Sequence, residues 1–165
     1  MRVKARAEIA GVVDQRRVAR LERLLNSVKA RLVFLDYNHG SVLVRADPCL
    51  LLDVVGELKK LIRNCVLRLT LFVKPASSAR ELCSDIVKVS RDRERCIAGR
   101  TDKVVLIADI SLARDYARVI VAKHMGPGTL DLSNPLLLSP TEFSCVELPS
   151  VVNEISRVLP VCRVE

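Results

Sequence analysis

Tryptophan is absent from this 165-residue chain, phenylalanine and tyrosine together number five, glutamine occurs once and histidine twice. Each scarcity excludes something. At 3% aromatic content, the chain lacks the paired aromatics that stack unpaired bases on the central strands of an RNA-recognition sheet. Only His39 and His124 are available as imidazoles, which leaves no nucleophilic triad with a convincing base. No two cysteines stand at the short spacing of a zinc knuckle, and no glycine-rich phosphate loop is present. No stretch without a charged residue approaches the ~18 residues that a membrane-spanning helix requires. The opening Met1-Arg2-Val3-Lys4-Ala5-Arg6-Ala7-Glu8 has no apolar region behind its basic residues. The chain is therefore expected to be soluble and cytoplasmic, with no membrane partner, no metal and no cofactor. It contains no internal repeat.

What is abundant is equally informative. Half of the residues are apolar and 28% are charged, enough for one domain or two small ones. Arginine outnumbers lysine 19 to 8, and valine and leucine occur 24 times each. Together with the shortage of thermolabile amides, this profile suggests a thermophilic source. Six cysteines in a cytosolic chain point to buried thiols, although intracellular disulfides are a known exception in hyperthermophiles.

The first 75 residues carry clear periodicities. Val3, Ala5, Ala7 and Ile9 alternate with Arg2, Lys4, Arg6 and Glu8, predicting a strand with one buried face, broken by Gly11. Asp14 caps a helix with its apolar stripe at Val18, Leu21, Leu24, Leu25 and Val28. Strands over 31–37 and 41–46 flank an Asn38-His39-Gly40 hairpin loop, with Tyr37 opposite Ser41 and Leu35 opposite Leu43. Asp47 and Pro48 open a second helix through Leu50, Leu51, Val54, Leu58, Leu61 and Ile62, and Val66–Lys74 is a fourth strand. This order predicts an α+β fold whose first 75 residues form a ferredoxin-like βαββαβ domain.

Residues 76–165 predict a smaller α/β unit packed on the first. Its elements are a helix from Ser78 to about Ala98 ended by Gly99, a strand over 103–109, and a helix from Ser111 to about His124. An extended loop over 129–141, a strand over 143–148, a helix over 150–159 and a final strand over 161–164 follow. On this reading Cys49 and Cys65 lie roughly 24 Å apart on one helix and Cys83 and Cys96 about 20 Å apart on another, at ~1.5 Å per residue. Neither pair would then form a disulfide, whereas Cys145 and Cys162, on neighbouring strands, would be within bonding distance.

The formal charge of +8 is unevenly placed. Residues 1–75 hold 15 basic and 7 acidic side chains, and residues 76–165 hold 12 of each. Arg16, Arg20 and Arg23 share one face of the first helix, with Arg17 beside them. Arg2, Lys4, Arg6, Arg45 and Arg68 should share the sheet face that the helices leave open, edged by Phe72 and Tyr37. Guanidinium groups on such surfaces suit phosphate backbones. The expected function is non-catalytic RNA or ribonucleoprotein binding through backbone and shape contacts, the alternative being a homo- or hetero-oligomerisation module.

The order of elements in residues 1–72 supports this context. With Ala5-Arg6-Ala7-Glu8-Ile9 as the opening strand and Val42-Leu43-Val44-Arg45-Ala46-Asp47 leading into a long apolar helix, it resembles the small dimerising subunit of the archaeal KEOPS tRNA-modification complex, a much shorter protein. The resemblance implies an archaeal, RNA-related setting. A second motif, Asp109-Ile110-Ser111 at the end of a buried strand, resembles the opening of PIN-type nucleases and marks Asp109 as the candidate for metal-dependent chemistry, with Asp115 and Asp131 as further carboxylates. PIN enzymes begin with that strand, however, and only 56 residues follow Asp109 here.

Overall fold

The computed structural model describes residues 2–74, 82–83, 95–110, 116–124 and 141–162. Strand β1 (Arg2–Val13) leads through a 3-10 turn (Gln15–Arg17) into helix α1 (Val18–Ser27). Strands β2 (Arg31–Leu35) and β3 (Ser41–Ala46), helices α2 (Pro48–Leu51) and α3 (Val55–Leu61) and strand β4 (Ile62–Lys74) follow. Beyond them come β5 (Arg95–Arg100), β6 (Val104–Asp109), β7 (Ala117–Lys123), the short β8 (Phe143–Ser144), a 3-10 turn (Cys145–Glu147) and α4 (Leu148–Ser156). The strand order is β2-β3-β1-β4-β7-β6-β5, with β8 also on β4. The architecture is α+β, as the sequence predicts.

Two compact units divide the chain. One comprises Arg6–Arg68 with Glu142–Ser150. In it β1 pairs antiparallel with β3, aligning Ala7 with Ala46, Ile9 with Val44 and Gly11 with Val42. That register puts the small and branched side chains on one face, where Leu21 and Leu25 of α1 and Leu58 and Leu61 of α3 are also buried. Asp14 caps the turn before α1 by accepting from the Arg16 N–H at 3.0 Å, and Asp47 caps α2 by accepting from the Cys49 N–H at 2.9 Å.

Several expectations for this half are corrected. Gly11 does not end β1. The strand continues to Val13 because β4 passes close to this position: a Cβ on Gly11 would collide with the Ile62 side chain and lie 2.6 Å from the Arg63 carbonyl. The second helix is two short ones, since Val54, Val55 and Gly56 are poor helix formers in sequence, and Val54 takes a non-helical ψ of 2°. Its last turn also stops earlier, and Ile62 already belongs to β4. The hairpin register is one residue away from the predicted one, with Leu35 opposite Val42 and Phe34 opposite Leu43. Asp36 accounts for the change: its carboxylate accepts from the N–H groups of Asn38 and His39. Its own N–H bonds the Ser41 carbonyl. This builds a longer loop that takes Tyr37 off the strand, while Gly40 supplies the positive φ of 75°.

The other unit comprises Met1–Ala5, Leu69–Thr141 and Val151–Glu165. Here β4 pairs with β7, β7 with β6 and β6 with β5, all antiparallel. Every residue of β6 is buried. Where they are described, the C-terminal parts of two predicted helices are strands: Arg95–Arg100 and Ala117–Lys123 are β5 and β7. Val119, Ile120 and Val121 are β-branched and favour a pleated, buried setting over a helix. Gly99 is no helix terminator but a close-packing position in β5, where a Cβ would run into Val158. The strand expected over 143–148 is limited to Phe143–Ser144, because Ser144 and Glu147 form a capping box that starts the 3-10 turn. The loop over 129–140 and most of the helix from Ser78 fall outside the described residues.

The cysteine reading is likewise corrected. Cys65 is bonded to Cys145 and Cys83 to Cys96, Cys49 and Cys162 are also disulfide-bonded, and none is free. The expected helical separations do not apply, because Cys65 belongs to β4 and Cys96 to β5. The Cys65–Cys145 bond spans 80 positions, a loop whose closure in the unfolded chain is worth about 4.5 kcal/mol on the chain-entropy model. Cys65→Ser with Cys145→Ser should lower the thermal midpoint more than Cys83→Ser with Cys96→Ser, whose 13-position loop is worth about 3 kcal/mol. Calorimetry of the two double variants, with the reduced wild-type chain as reference, measures the difference.

Candidate nucleic-acid interface

The nine basic residues singled out by the sequence fall into two groups with different surroundings. On the sheet, Arg2 and Lys4 are exposed on β1, and Arg6 is half-buried. Arg45 lies directly across from Glu8 in the β1–β3 register, and its Nη2 is 3.5 Å from Glu8 Oε1. Arg68 on β4 is ion-paired with Glu142. Arg45 and Arg68 thus have carboxylate partners, the latter's from the second half of the sequence. Tyr37, expected at the edge of this surface, lies in the hairpin loop instead, where its carbonyl accepts from the Gln15 side chain.

The helix group is more open. Arg16, Arg17, Arg20 and Arg23 are all exposed. Arg16 pairs with Asp14 at 3.3 Å. Arg17 reaches across to α3, where its Nη1 donates to the Lys60 carbonyl at 2.8 Å. A guanidinium on the last carbonyls of a helix satisfies an orphan acceptor and complements the negative end of the helix dipole. This bond sets α1 beside α3 and adds exposed Lys59, Lys60 and Arg63 to the same neighbourhood. Among the described residues, Arg20 and Arg23 take part in no hydrogen bond or ion pair. Lys59, Lys60 and Arg63 were not singled out from the sequence, although Lys59-Lys60 on a short polar helix face was the available signal.

Two half-buried carboxylates shape the local charge. The Asp14 carboxyl is held below the usual aspartate range, first by the Arg16 backbone N–H and then by its side chain. That of Asp36 is lowered first by the His39 ring, whose Nδ1 lies 2.9 Å from Oδ2, and next by the Asn38 N–H. A carboxyl whose pKa is lower folded than unfolded stabilises the fold above its unfolded pKa, and that contribution disappears as pH falls through the folded value. Carbon-detected NMR titration should therefore find Asp14 and Asp36 titrating below the free aspartate value. Asp14→Asn should flatten the part of the acid-unfolding profile below about pH 4, near the free aspartate value.

Comparison with protein-family models, with curated proteins and with solved structures finds no match to this chain.

Asp109, the candidate for metal-dependent chemistry, occupies a different environment from that of an open ligand. It is 1% exposed and sits between two arginines on the neighbouring strands. Arg95 Nε lies 3.6 Å and Arg118 Nη2 3.8 Å from Asp109 Oδ2. Among the described residues, no group of three His, Cys, Asp or Glu side chains is placed to hold a metal ion. Asp115 and Asp131 lie outside the described residues. His39 and His124 do not converge either: His39 bonds Asp36, while the His124 ring is 3.0 Å from the Thr101 carbonyl. Removing one member of a buried ion pair leaves uncompensated charge, so Asp109→Ala should destabilise the fold by about 3 kcal/mol or more. Urea denaturation checks this, and a change under about 1 kcal/mol would place the two guanidiniums in water.

Proposed function

We propose that the chain is a non-catalytic RNA- or ribonucleoprotein-binding protein that holds phosphate backbones through the arginines at and before α1, together with the basic end of α3. The observation that carries this reading is the cluster of Arg16, Arg17, Arg20 and Arg23 next to Lys59, Lys60 and Arg63, exposed together and tied by the Arg17–Lys60 bond. Only Glu22 and Glu57 on these two helices oppose it. Guanidinium forks not committed to carboxylates are suited to phosphate oxygens. In the same reading, residues 1–75 are a ferredoxin-like basic domain, 76–165 an electrically balanced supporting unit, and the source a thermophilic archaeon whose cytoplasm tolerates disulfides. The full bonding of six cysteines supports that last point.

A second reading has an observation of its own. β2 is an edge of the sheet and exposes Val33 and Phe34, the latter at 55%. Apolar side chains on an open edge favour a protein partner or a second copy.

Fluorescence anisotropy with labelled generic RNA over a salt series tests the first reading. With about five phosphate contacts, the logarithm of affinity should fall with the logarithm of salt at a slope of roughly −3.5 for single strands and −4.5 for duplex. Arg20→Glu with Arg23→Glu should weaken binding and make the slope shallower by about 2. A flat salt dependence overturns the proposal. Light scattering on Arg2→Glu with Arg6→Glu separates the second reading, in which self-association survives the charge reversal.

A further inference from the structure

The register of four strands lines up one row of side chains. Phe72 on β4 is opposite Arg118 on β7, Arg118 is opposite Asp109 on β6, and Asp109 is opposite Arg95 on β5. Cross-strand partners share a face of the sheet, so these four side chains stand side by side. Asp109 is the only carboxylate in the row, and the two guanidiniums leave it with one excess positive charge.

That excess faces solvent at Arg118, whose side chain is 39% exposed against 12% for Arg95, and whose Nη2 lies 3.8 Å from Asp109 Oδ2, an ion pair without a hydrogen bond. Among the described residues Arg118 Nε, shielded from water, has no acceptor, a costly state for a donor. With one loose ion pair to Asp109, this guanidinium is only partly engaged and keeps donors for an anion that approaches from solvent. Lys74, exposed two residues beyond Phe72, is its diagonal neighbour across the β4–β7 pair and within reach of a shared ligand.

Beside these two cations is an aromatic surface. Tyr116, two residues before Arg118, meets Phe72 edge to face with ring centroids 6.0 Å apart and planes at 68°. Phe72 props the tyrosine ring, and Tyr116 remains 46% exposed. Tyr116 is one of only two tyrosines in the chain. A propped, exposed ring beside a guanidinium fork and an ammonium is the chemistry that binds a planar base and its phosphate together.

We propose that Tyr116, Arg118 and Lys74 form a binding site for a phosphorylated nucleotide unit, its base stacked on Tyr116 and its phosphate held by Arg118 and Lys74. The unit is either a free mononucleotide or one residue of a single-stranded RNA. Only the RNA source rests on the function proposed above. The site lies on β4, β7 and the residue just before β7, and uses none of the α1 arginines.

The two tyrosines allow a direct test in the full chain. Labelling with 3-fluorotyrosine gives one fluorine resonance for Tyr116 and one for Tyr37, assigned with Tyr37→Phe, and Tyr37 serves as the internal control. Titration with AMP, adenosine, inorganic phosphate and oligoadenylate should shift the Tyr116 resonance saturably with AMP, with oligoadenylate or with both. Adenosine should bind at least tenfold more weakly than AMP, and phosphate should compete with AMP. A response to AMP alone assigns the site to free nucleotides, and one to oligoadenylate alone assigns it to strands.

Arg118→Gln should weaken binding at least tenfold. Arg118→Lys, which keeps the charge beside Asp109 and therefore the fold, should weaken it severalfold through loss of the fork. The site is overturned by an unmoved Tyr116 resonance, by equal affinity for AMP and adenosine, or by wild-type affinity in Arg118→Lys together with Arg118→Gln. Arg20→Glu with Arg23→Glu should leave AMP affinity unchanged. Failure of the salt-dependent RNA assay with AMP binding intact removes the proposed function alone, whereas the converse removes this site alone.

Discussion

Strand β4 is the constraint on which the other elements depend. Its 13 residues contribute to both compact units, and each stretch must find backbone partners for its N–H and C=O groups. Val66 and Leu67 pair with β8, and Thr70–Val73 pair with β7. The odd-numbered Leu67, Leu69, Leu71 and Val73 are all nearly inaccessible to water, so a one-residue slip would turn four large apolar side chains to the opposite face. Within this strand the even-numbered positions carry the chemistry. Arg68 takes Glu142, Phe72 props Tyr116, and Lys74 remains exposed. The register that buries the leucines is thus also what places Arg68, Phe72 and Lys74 on the opposite face.

The same logic explains which parts of the fold were legible in the sequence. Where a strand has one buried face and one open face, as in β1 and β3, residue type alternates and the period of two is visible. Where a helix lies on a sheet, as α1 does, its stripe at Leu21, Leu24 and Leu25 is equally visible. β5, β6 and β7 are buried on both faces over most of their length, and that removes the alternation. Cys96, Ile97, Ala98 and Gly99 read as well in a helix as in a strand. β6 was recognised because its apolar run is short and continuous. For β7 the local preference of Val-Ile-Val was the better guide than the capping signal at Ser111. The Cys83–Cys96 pairing was hidden for the same reason, since a helix over this stretch would hold the two thiols apart.

The candidate sites show a comparable split. Spacing alone was enough to mark Arg16, Arg20 and Arg23 as exposed, because side-chain exposure on a helix is a local property, although Arg16 falls in the 3-10 turn before α1. The partners of Arg45 and Arg68 are not local. Glu8 and Glu142 stand 37 and 74 positions away, and only the strand pairing brings them into range. Asp109 is the sharpest instance. Its sequence setting, at the carboxyl end of a buried strand, is shared by catalytic carboxylates and by buried ion-pair centres. What separates the two is the identity of the residues across from it, here Arg95 and Arg118, which no one-dimensional pattern contains. Net charge therefore overstates the cationic character of the sheet and understates that of the helices, where lysines on α3 join the arginines on α1.

The Cys65–Cys145 bond has a topological consequence as well as an energetic one. It closes the backbone from β4 to the turn after β8 into a covalent ring, with the smaller Cys83–Cys96 ring inside it. A single backbone scission anywhere between Cys65 and Cys145 opens the ring without releasing either piece, so the nicked molecule keeps its mass, apart from one added water, until the bond is reduced. In effect the segment that joins β4 to β8 can be cut and still remain tethered at both ends.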